Sequence, residues 1–305
     1  MKEKQFMTYD EQIDLLLSKD LIINNVDDAK RLLENYSYFT LVNGYKSPFK
    51  GKDKKYKKNT KFEDIYYLYE FDDELRHIFI KYLFLVEMHL KSLISYYFCL
   101  EFGEEESEYQ NVTNYNYQNV NYQKSINKLV ETLSENLDDA GSWMYVKHYV
   151  DRYGNVPLWV LIKTLTFGNI SKMYTYQMPK IQSKICHNFP EIREDQMSVI
   201  LDILTRYRNV CAHNERLYDF KYKRKHLKTT RYHKEFGLTT NKNTANLFEV
   251  VISLKMLLNK KDFECLISEI KANLDLLSSR TNQIQRKQIL QLMGFPENWE
   301  SIKDI

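Results

Sequence analysis

The chain has 305 residues, a formal net charge of +3, and only 8 Gly and 5 Pro. Few Gly and Pro argue against a β-sandwich or barrel, and the small net charge does not by itself indicate a nucleic-acid binder. Four scattered cysteines without a C-x-x-C pair fit free thiols in a reducing compartment. The charged N-terminus lacks the apolar run of a signal peptide, so we expect a cytoplasmic protein.

Helical periodicity dominates the chain. Thr8 and Glu11 have the spacing of a capping box, and a second short helix is predicted to end near Asn35. Apolar residues then recur at helical spacing from Phe62 to Cys99. Charged side chains interrupt the apolar run 82–100, which favours a buried or amphipathic helix over a membrane span. Further helices are predicted at residues 122–135, 142–153, 158–165, 170–176, 180–188, 193–212, 244–258, 262–277 and 286–295.

The pattern predicts an all-α helical bundle with an N-terminal extension similar to a helix-turn-helix. The expected division is an extension with a basic loop (1–60), a helical domain (61–280) and a tail with a short helix (281–305). Residues 101–124 are rich in Asn, Tyr and Glu and poor in aliphatic residues, so they are predicted to be a surface excursion.

Two basic blocks, at residues 50–61 and 221–234, stand out against the nearly balanced charge. Such blocks are the usual footprint of phosphate contact, although a solvated loop has the same composition. The 24 tyrosines are compatible with base stacking as well as with core packing. The predicted RNA-binding residues are Lys54, Lys55, Lys57 and Lys58 in the first block and Lys221, Lys223, Arg224, Lys225, Lys228 and Arg231 in the second.

The stretch RYRNVCAHNERL (206–217) follows an amphipathic run and collects polar side chains at its end. On an ideal helix Asn209, His213 and Arg216 share one face, whereas Arg208 and His213 diverge by about 140°. The last two could meet if the helix ends or loosens near Ala212. They could also meet across a two-fold axis, where each chain contributes residues to a shared cleft.

These residue types suit RNA cleavage without a metal. Histidine transfers protons near neutral pH, and a guanidinium grips a phosphate and stabilises added negative charge. Attack by a ribose 2′-OH needs one base and one acid, and a symmetric dimer offers two histidines. On spacing alone, an exposed polar helix end is the commoner explanation. The cysteine and histidine spacings do not fit a zinc site, and we expect no metal and no cofactor.

Residues 208–213 resemble the R-x4–6-H motif of HEPN ribonucleases, with a polar residue directly after the arginine. Four longer blocks resemble the Abi-like abortive infection proteins of bacteria (the AbiD/AbiF type), in the same order along the chain. The blocks are NYSYFTLVNGYKSPF (35–49), FDDELRHIFIKYLFLVEMHLKSLISYYF (71–98), PLWVLIKTLTFGNISKMY (157–174) and RNVCAHNERLYDF (208–220).

The resemblance implies a HEPN-type helical bundle, antiviral defence by abortive infection, and RNA as target. It implies catalytic roles for Arg208 and His213, a polar partner in Asn209, and phosphate contact by Arg216. Proteins of this kind pair so that two motifs face each other, and this chain has one copy, so the resemblance implies a homodimer. Lys91 stands where the family often has Arg, so the bidentate grip of a guanidinium is lost and Lys91 is given no role.

Two other functions remain open from the sequence. The chain could hold a structured noncoding RNA without cutting it, using the basic blocks and exposed tyrosines. It could also be a transcriptional regulator that places its N-terminal helices on DNA.

Overall fold

A computed structural model describes residues 5–239 and 243–305, and within these residues the chain is helical without a β-strand. The all-α prediction is therefore confirmed. None of the described helices is long and apolar enough to cross a membrane. The helices are α1 (Tyr9–Leu17), α2 (Val26–Tyr36), α3 (Phe62–Phe102), α4 (Glu106–Gln110), α5 (Val120–Asp138), α6 (Met144–Tyr153), α7 (Leu158–Leu161), α8 (Phe167–Tyr176), α9 (Pro179–Cys186), α10 (Glu194–Ala212), α11 (Arg231–Glu235), α12 (Leu247–Leu257), α13 (Lys260–Arg280) and α14 (Arg286–Met293).

The chain forms two compact units, each built from separate stretches of sequence. Unit 1 comprises Met1–Phe79, Val210–Phe220 and Glu264–Ile305, and unit 2 comprises Ile80–Asn209 and Lys221–Phe263. Helices α3, α10 and α13 contribute residues to both units. The two units are distinguished by the contacts within each of them. The three-part division expected from the sequence remains a prediction.

In unit 1, α1 packs against α2, and α1 begins with the predicted capping box. The backbone N–H of Thr8 donates to the Glu11 carboxylate at 2.7 Å, and the N–H of Glu11 donates to the Thr8 hydroxyl at 3.3 Å. These two bonds satisfy donors that a helix N-terminus leaves without an internal partner. The capping box thus holds the N-terminal end of α1 in unit 1.

In unit 2, α12 is the central helix, because nearly all of its residues are buried. A helix that is apolar on every side belongs inside a core. Its one buried acid is Glu249, whose carboxylate accepts the backbone N–H of Leu227 at 3.3 Å. Burial raises the pKa of Glu249 to about 7. This bond ties the second basic block to the core.

The predicted surface excursion at residues 101–124 is wrong in its central part. Tyr109 and Tyr115 are each 1% exposed, and α4 lies between Glu106 and Gln110. The Tyr109 hydroxyl donates to the Val156 carbonyl at 2.9 Å, and the Tyr115 hydroxyl donates to the Tyr109 carbonyl at 2.8 Å. Tyrosine packs here as a core residue because each buried hydroxyl finds a backbone acceptor.

Candidate active site

Helix α10 ends at Ala212, directly before His213. The next residue but one, Asn214, has φ +53, the left-handed conformation that closes many helices. The N–H of Asn214 donates to the Cys211 carbonyl at 3.4 Å, and that of Glu215 donates to the Val210 carbonyl at 3.0 Å. This is the hydrogen-bond pattern of a Schellman motif. His213 is exposed and follows the last helical residue. The angle of about 140° that separates it from Arg208 on an ideal helix therefore does not apply to it.

Arg208 and Asn209 lie in unit 2, on the last two turns of α10. Both are partly buried. The guanidinium carbon of Arg208 lies 5.7 Å from the ring centroid of Phe84 on α3, and the Arg208 Nε is buried without a hydrogen-bond partner among the described residues. A buried N–H donor without a partner is costly, and a guanidinium is a group that can bind an anion.

His213 lies in unit 1, where a buried carboxylate holds the chain that follows it. Asp72 is 0% exposed and accepts the backbone N–H groups of Leu217 at 3.0 Å and Tyr218 at 2.7 Å. It also accepts the Tyr45 hydroxyl at 2.7 Å and the Arg76 guanidinium at 2.9 Å. Burial raises the pKa of Asp72, whereas Arg76 and the other donors lower it. We call Tyr45, Asp72, Arg76 and these two amides the Asp72 network.

Arg216 is fixed within the same stretch of unit 1. Its Nε donates to the Asp219 carboxylate at 2.6 Å, and its Nη1 donates to the Gly44 carbonyl at 2.5 Å. Gly44 directly precedes Tyr45 of the Asp72 network. Arg216 therefore anchors the segment after His213, and its role as a phosphate contact remains a prediction.

The Asp72 network was not predicted from the sequence. The available signal was Asp72 with Arg76 four residues later, inside the amphipathic stretch FDDELRHIF (71–79). That spacing also describes an ordinary surface ion pair, since the sequence does not show which side of the helix faces inward.

A family model described as Abi-like protein matches residues 31–219 of the chain. The chain belongs to the Abi-like protein family. The matched range covers the four blocks except for Phe220, and it includes Arg208, His213 and every member of the Asp72 network. It ends just before the second basic block. No curated protein and no solved structure matches the chain.

In this Abi-like chain Lys91 pairs with Glu87, one turn earlier on α3. The Lys91 Nζ lies 2.8 Å from one carboxylate oxygen of Glu87 and 3.5 Å from the Lys163 carbonyl. The other oxygen of Glu87 is buried without a hydrogen-bond partner among the described residues. Glu87 is therefore a buried acid paired with a basic group, and both residues lie in unit 2.

Part of the second basic block is held beside α10 within unit 2. Tyr222 and Ala245 exchange backbone hydrogen bonds of 2.8 and 2.9 Å. The Tyr222 hydroxyl donates to Asp202 at 3.2 Å, and the Tyr207 hydroxyl donates to the Ala245 carbonyl at 3.1 Å. Because Asp202 and Tyr207 belong to α10, this loop lies along the helix that carries Arg208. Its exposed cations are Lys221, Lys223, Arg224 and Lys225.

The later cations of this block are engaged in ion pairs. Arg231 makes a bidentate pair with Glu191, at 2.9 and 2.8 Å, and Lys228 pairs with Asp195. The sequence did not predict α11, whose first residue is Arg231. Its cap is a Thr230–His233 pair, which differs from the usual Ser/Thr and Glu/Gln capping box. Lys228 and Arg231 thus support the fold of unit 2, and RNA contact by them stays a prediction.

The first basic block likewise contains lysines that contact other residues of the fold and lysines that are exposed. Lys55 pairs with Asp20 at 2.8 Å, and the Lys57 Nζ donates to the Pro48 carbonyl at 2.6 Å. Lys50 lies 3.3 Å above the ring centroid of Tyr56, and its pKa is lowered to about 8 by burial and by nearby lysines. Lys52, Lys54 and Lys58 of this loop are exposed as well. Among residues 5–239 and 243–305, no cluster of three or more His, Cys, Asp or Glu could hold a metal ion.

Proposed function

We propose that this chain is an abortive-infection protein that acts as a HEPN-type endoribonuclease without a metal. Membership in the Abi-like family suggests the abortive-infection role. The observation that carries the enzymatic part is the R-x4-H arrangement at the end of α10. Its arginine has a buried donor without a partner among the described residues, and its histidine is exposed where the helix stops. A group that binds anions is thus followed by one that transfers protons.

The proposed reaction is an internal transesterification of RNA. A histidine accepts the proton of a ribose 2′-OH, and the 2′ oxygen attacks the adjacent phosphorus. The bond from phosphorus to the 5′ oxygen breaks, and a second histidine protonates that leaving oxygen. Arg208 binds the non-bridging oxygens, where negative charge increases in the transition state. The products are a 2′,3′-cyclic phosphate and a 5′-OH.

Two histidines in one reaction require two copies of His213, so we propose that the active form is a homodimer. Exposed apolar side chains beside Arg208 support this proposal. Phe84, which lies against the Arg208 guanidinium, and Met88, one turn further along α3, are 43% and 67% exposed. Apolar exposure of this kind at an incomplete polar site is what a second chain would cover.

Met88→Glu should therefore weaken the dimer and lower RNA cleavage together. A charge placed in an apolar contact costs on the order of 1.4 kcal/mol or more, which corresponds to about tenfold or more in association. Light scattering and cleavage rates over a concentration series would measure both effects. Met144→Glu is the matched control, because Met144 is 89% exposed and lies on α6, away from Arg208 in sequence. Equal behaviour of the two variants would contradict a dimer formed through Met88.

The direct test of the proposed function is RNA cleavage by the purified protein in EDTA. We expect cleavage of single-stranded RNA, with 2′,3′-cyclic phosphate and 5′-OH ends identified by mass spectrometry. A requirement for added divalent metal, or products ending in a 5′-phosphate, would overturn the proposed chemistry.

A second function is favoured by the exposed cations along α10, which suit RNA binding without turnover. In that case the chain holds a structured noncoding RNA, and Arg208 and His213 only contact phosphate. The same assay separates the two functions. Salt-sensitive RNA binding with no cleavage at any protein concentration would support the binding function.

A further inference from the structure

Unit 1 contains a cavity of about 520 Å³ that has no part in the proposed cleavage site. It lies among the end of α2, the first half of α3 and the second half of α13. The volume falls within the roughly 300–1,000 Å³ that is usual for small-molecule sites. All of its lining residues belong to unit 1, so the cavity is a feature of one compact body.

One wall of the cavity is made of tyrosine rings. Tyr36 and Tyr69 have ring centroids 4.8 Å apart, and Tyr66 lies 6.0 Å from Tyr36 and 6.3 Å from Tyr69. Tyr67 adjoins Tyr66 at 6.5 Å. All four side chains are partly exposed, so they present aromatic surface to the cavity. The negative face of an aromatic ring attracts cations, with ammonium and guanidinium groups bound best where water is displaced.

The charged lining has the opposite sign from an RNA site. Glu70, Glu74 and Asp73 line the cavity from α3, and Glu269 lines it from α13. Its one described cation is Arg280, which already pairs with Glu70 at 2.8 Å. Asp73 also pairs with Arg76 at 2.6 Å, a residue outside the lining. The carboxylates still outnumber these two guanidinium groups, which disfavours phosphates and other anions. Carboxylates beside an aromatic wall instead suit an organic cation, since metal ions gain little from the rings.

We propose that this cavity binds a small aliphatic polyamine, such as spermidine. In such a molecule three or four methylene groups separate neighbouring ammonium groups by about 5–6 Å, similar to side chains three or four positions apart on a helix. On α3, Asp73 and Glu74 lie three and four positions after Glu70 and so have this spacing from it. The methylene chain lies along the tyrosine wall, and the ammonium groups face the carboxylates. A ligand with one charge would meet only one of these carboxylates at a time.

Isothermal titration of the purified chain with spermidine tests the proposal. We expect saturable binding of one spermidine molecule per chain. Potassium at the same concentration as spermidine should not reduce this binding. The double variant Tyr66→Leu with Glu74→Gln should bind spermidine about fivefold more weakly or worse, because it loses one cation–ring contact and one exposed ion pair with the ligand. The control is Glu131→Gln, an exposed acid on α5 in unit 2, which should leave the affinity unchanged.

Three results would overturn the polyamine site. One is heat that never saturates, and another is equal affinity of the wild type and the double variant. The third is an equal loss of affinity in Glu131→Gln, which would indicate diffuse attraction to an acidic surface. If the double variant does not fold, Glu74→Gln alone decides the question, because Glu74 is an exposed side chain on the rim. The titration contains no RNA, so its outcome is independent of the proposed cleavage.

Discussion

His213→Ala should lower the rate of RNA cleavage by about 10²–10⁴-fold, which is the usual contribution of a positioned acid or base. Arg208→Ala should cost about 10²–10³-fold by removing stabilisation of transition-state charge. His213 is exposed, so His213→Ala should change the free energy of unfolding by about 0.5 kcal/mol or less. Single-turnover cleavage rates and urea denaturation of the same preparations would measure these effects.

His187→Ala is the matched control for His213. His187 is also an exposed histidine at the end of a helix, since it is the C-cap of α9. Its replacement should leave cleavage unchanged. Arg208→Lys provides the corresponding comparison for Arg208, because it keeps the charge and loses the bidentate guanidinium. Full activity in His213→Ala would exclude His213 as the proton-transfer group.

Asp72→Ala should destabilise the chain by about 3–5 kcal/mol, the cost of leaving a buried charge without its partner. Arg76 would lose one of its two carboxylates, and the amides of Leu217 and Tyr218 would lose their acceptor. Unfolding in urea would measure the loss. Hydrogen exchange should accelerate at these two amides in Asp72→Asn as well, because an amide oxygen is a weaker acceptor than a carboxylate.

Asp73→Asn is the control for Asp72. Asp73 pairs with the same guanidinium at 2.6 Å, but its side chain is 38% exposed. An exposed ion pair contributes about 1 kcal/mol or less. Equal destabilisation by Asp72→Asn and Asp73→Asn would mean that burial of the Asp72 carboxylate has no special importance.

Most helices were predictable because their apolar residues follow the helical period without interruption. The predicted helix 193–212 is found at Glu194–Ala212, and the predicted helix 286–295 is found at Arg286–Met293. The tyrosine-rich segment could not be assigned in this way. Tyrosine occurs in cores and on surfaces alike, and the burial of Tyr109 depends on the distant Val156 carbonyl.

The sequence pointed to the residues of the candidate site but not to the interactions that hold the chain around them. A family motif pointed to Arg208 and His213. The end of α10 has little signal in the sequence, because no glycine follows the helix. Asn214 provides that end through its left-handed backbone. The bond from Tyr218 to Asp72 joins residues 146 positions apart, and no periodic pattern along the chain reports such a pair.

The discontinuous sequence of unit 1 has a consequence for synthesis of the protein. A ribosome makes Met1–Phe79 before the long first stretch of unit 2, and only later the segment with His213 and then Glu264–Ile305. Contacts between such distant segments form slowly, because a long chain must first be brought together. A nascent chain therefore lacks a complete unit 1 until Glu264–Ile305 has been synthesised. The folded surroundings of His213 in the proposed site would form only at that stage.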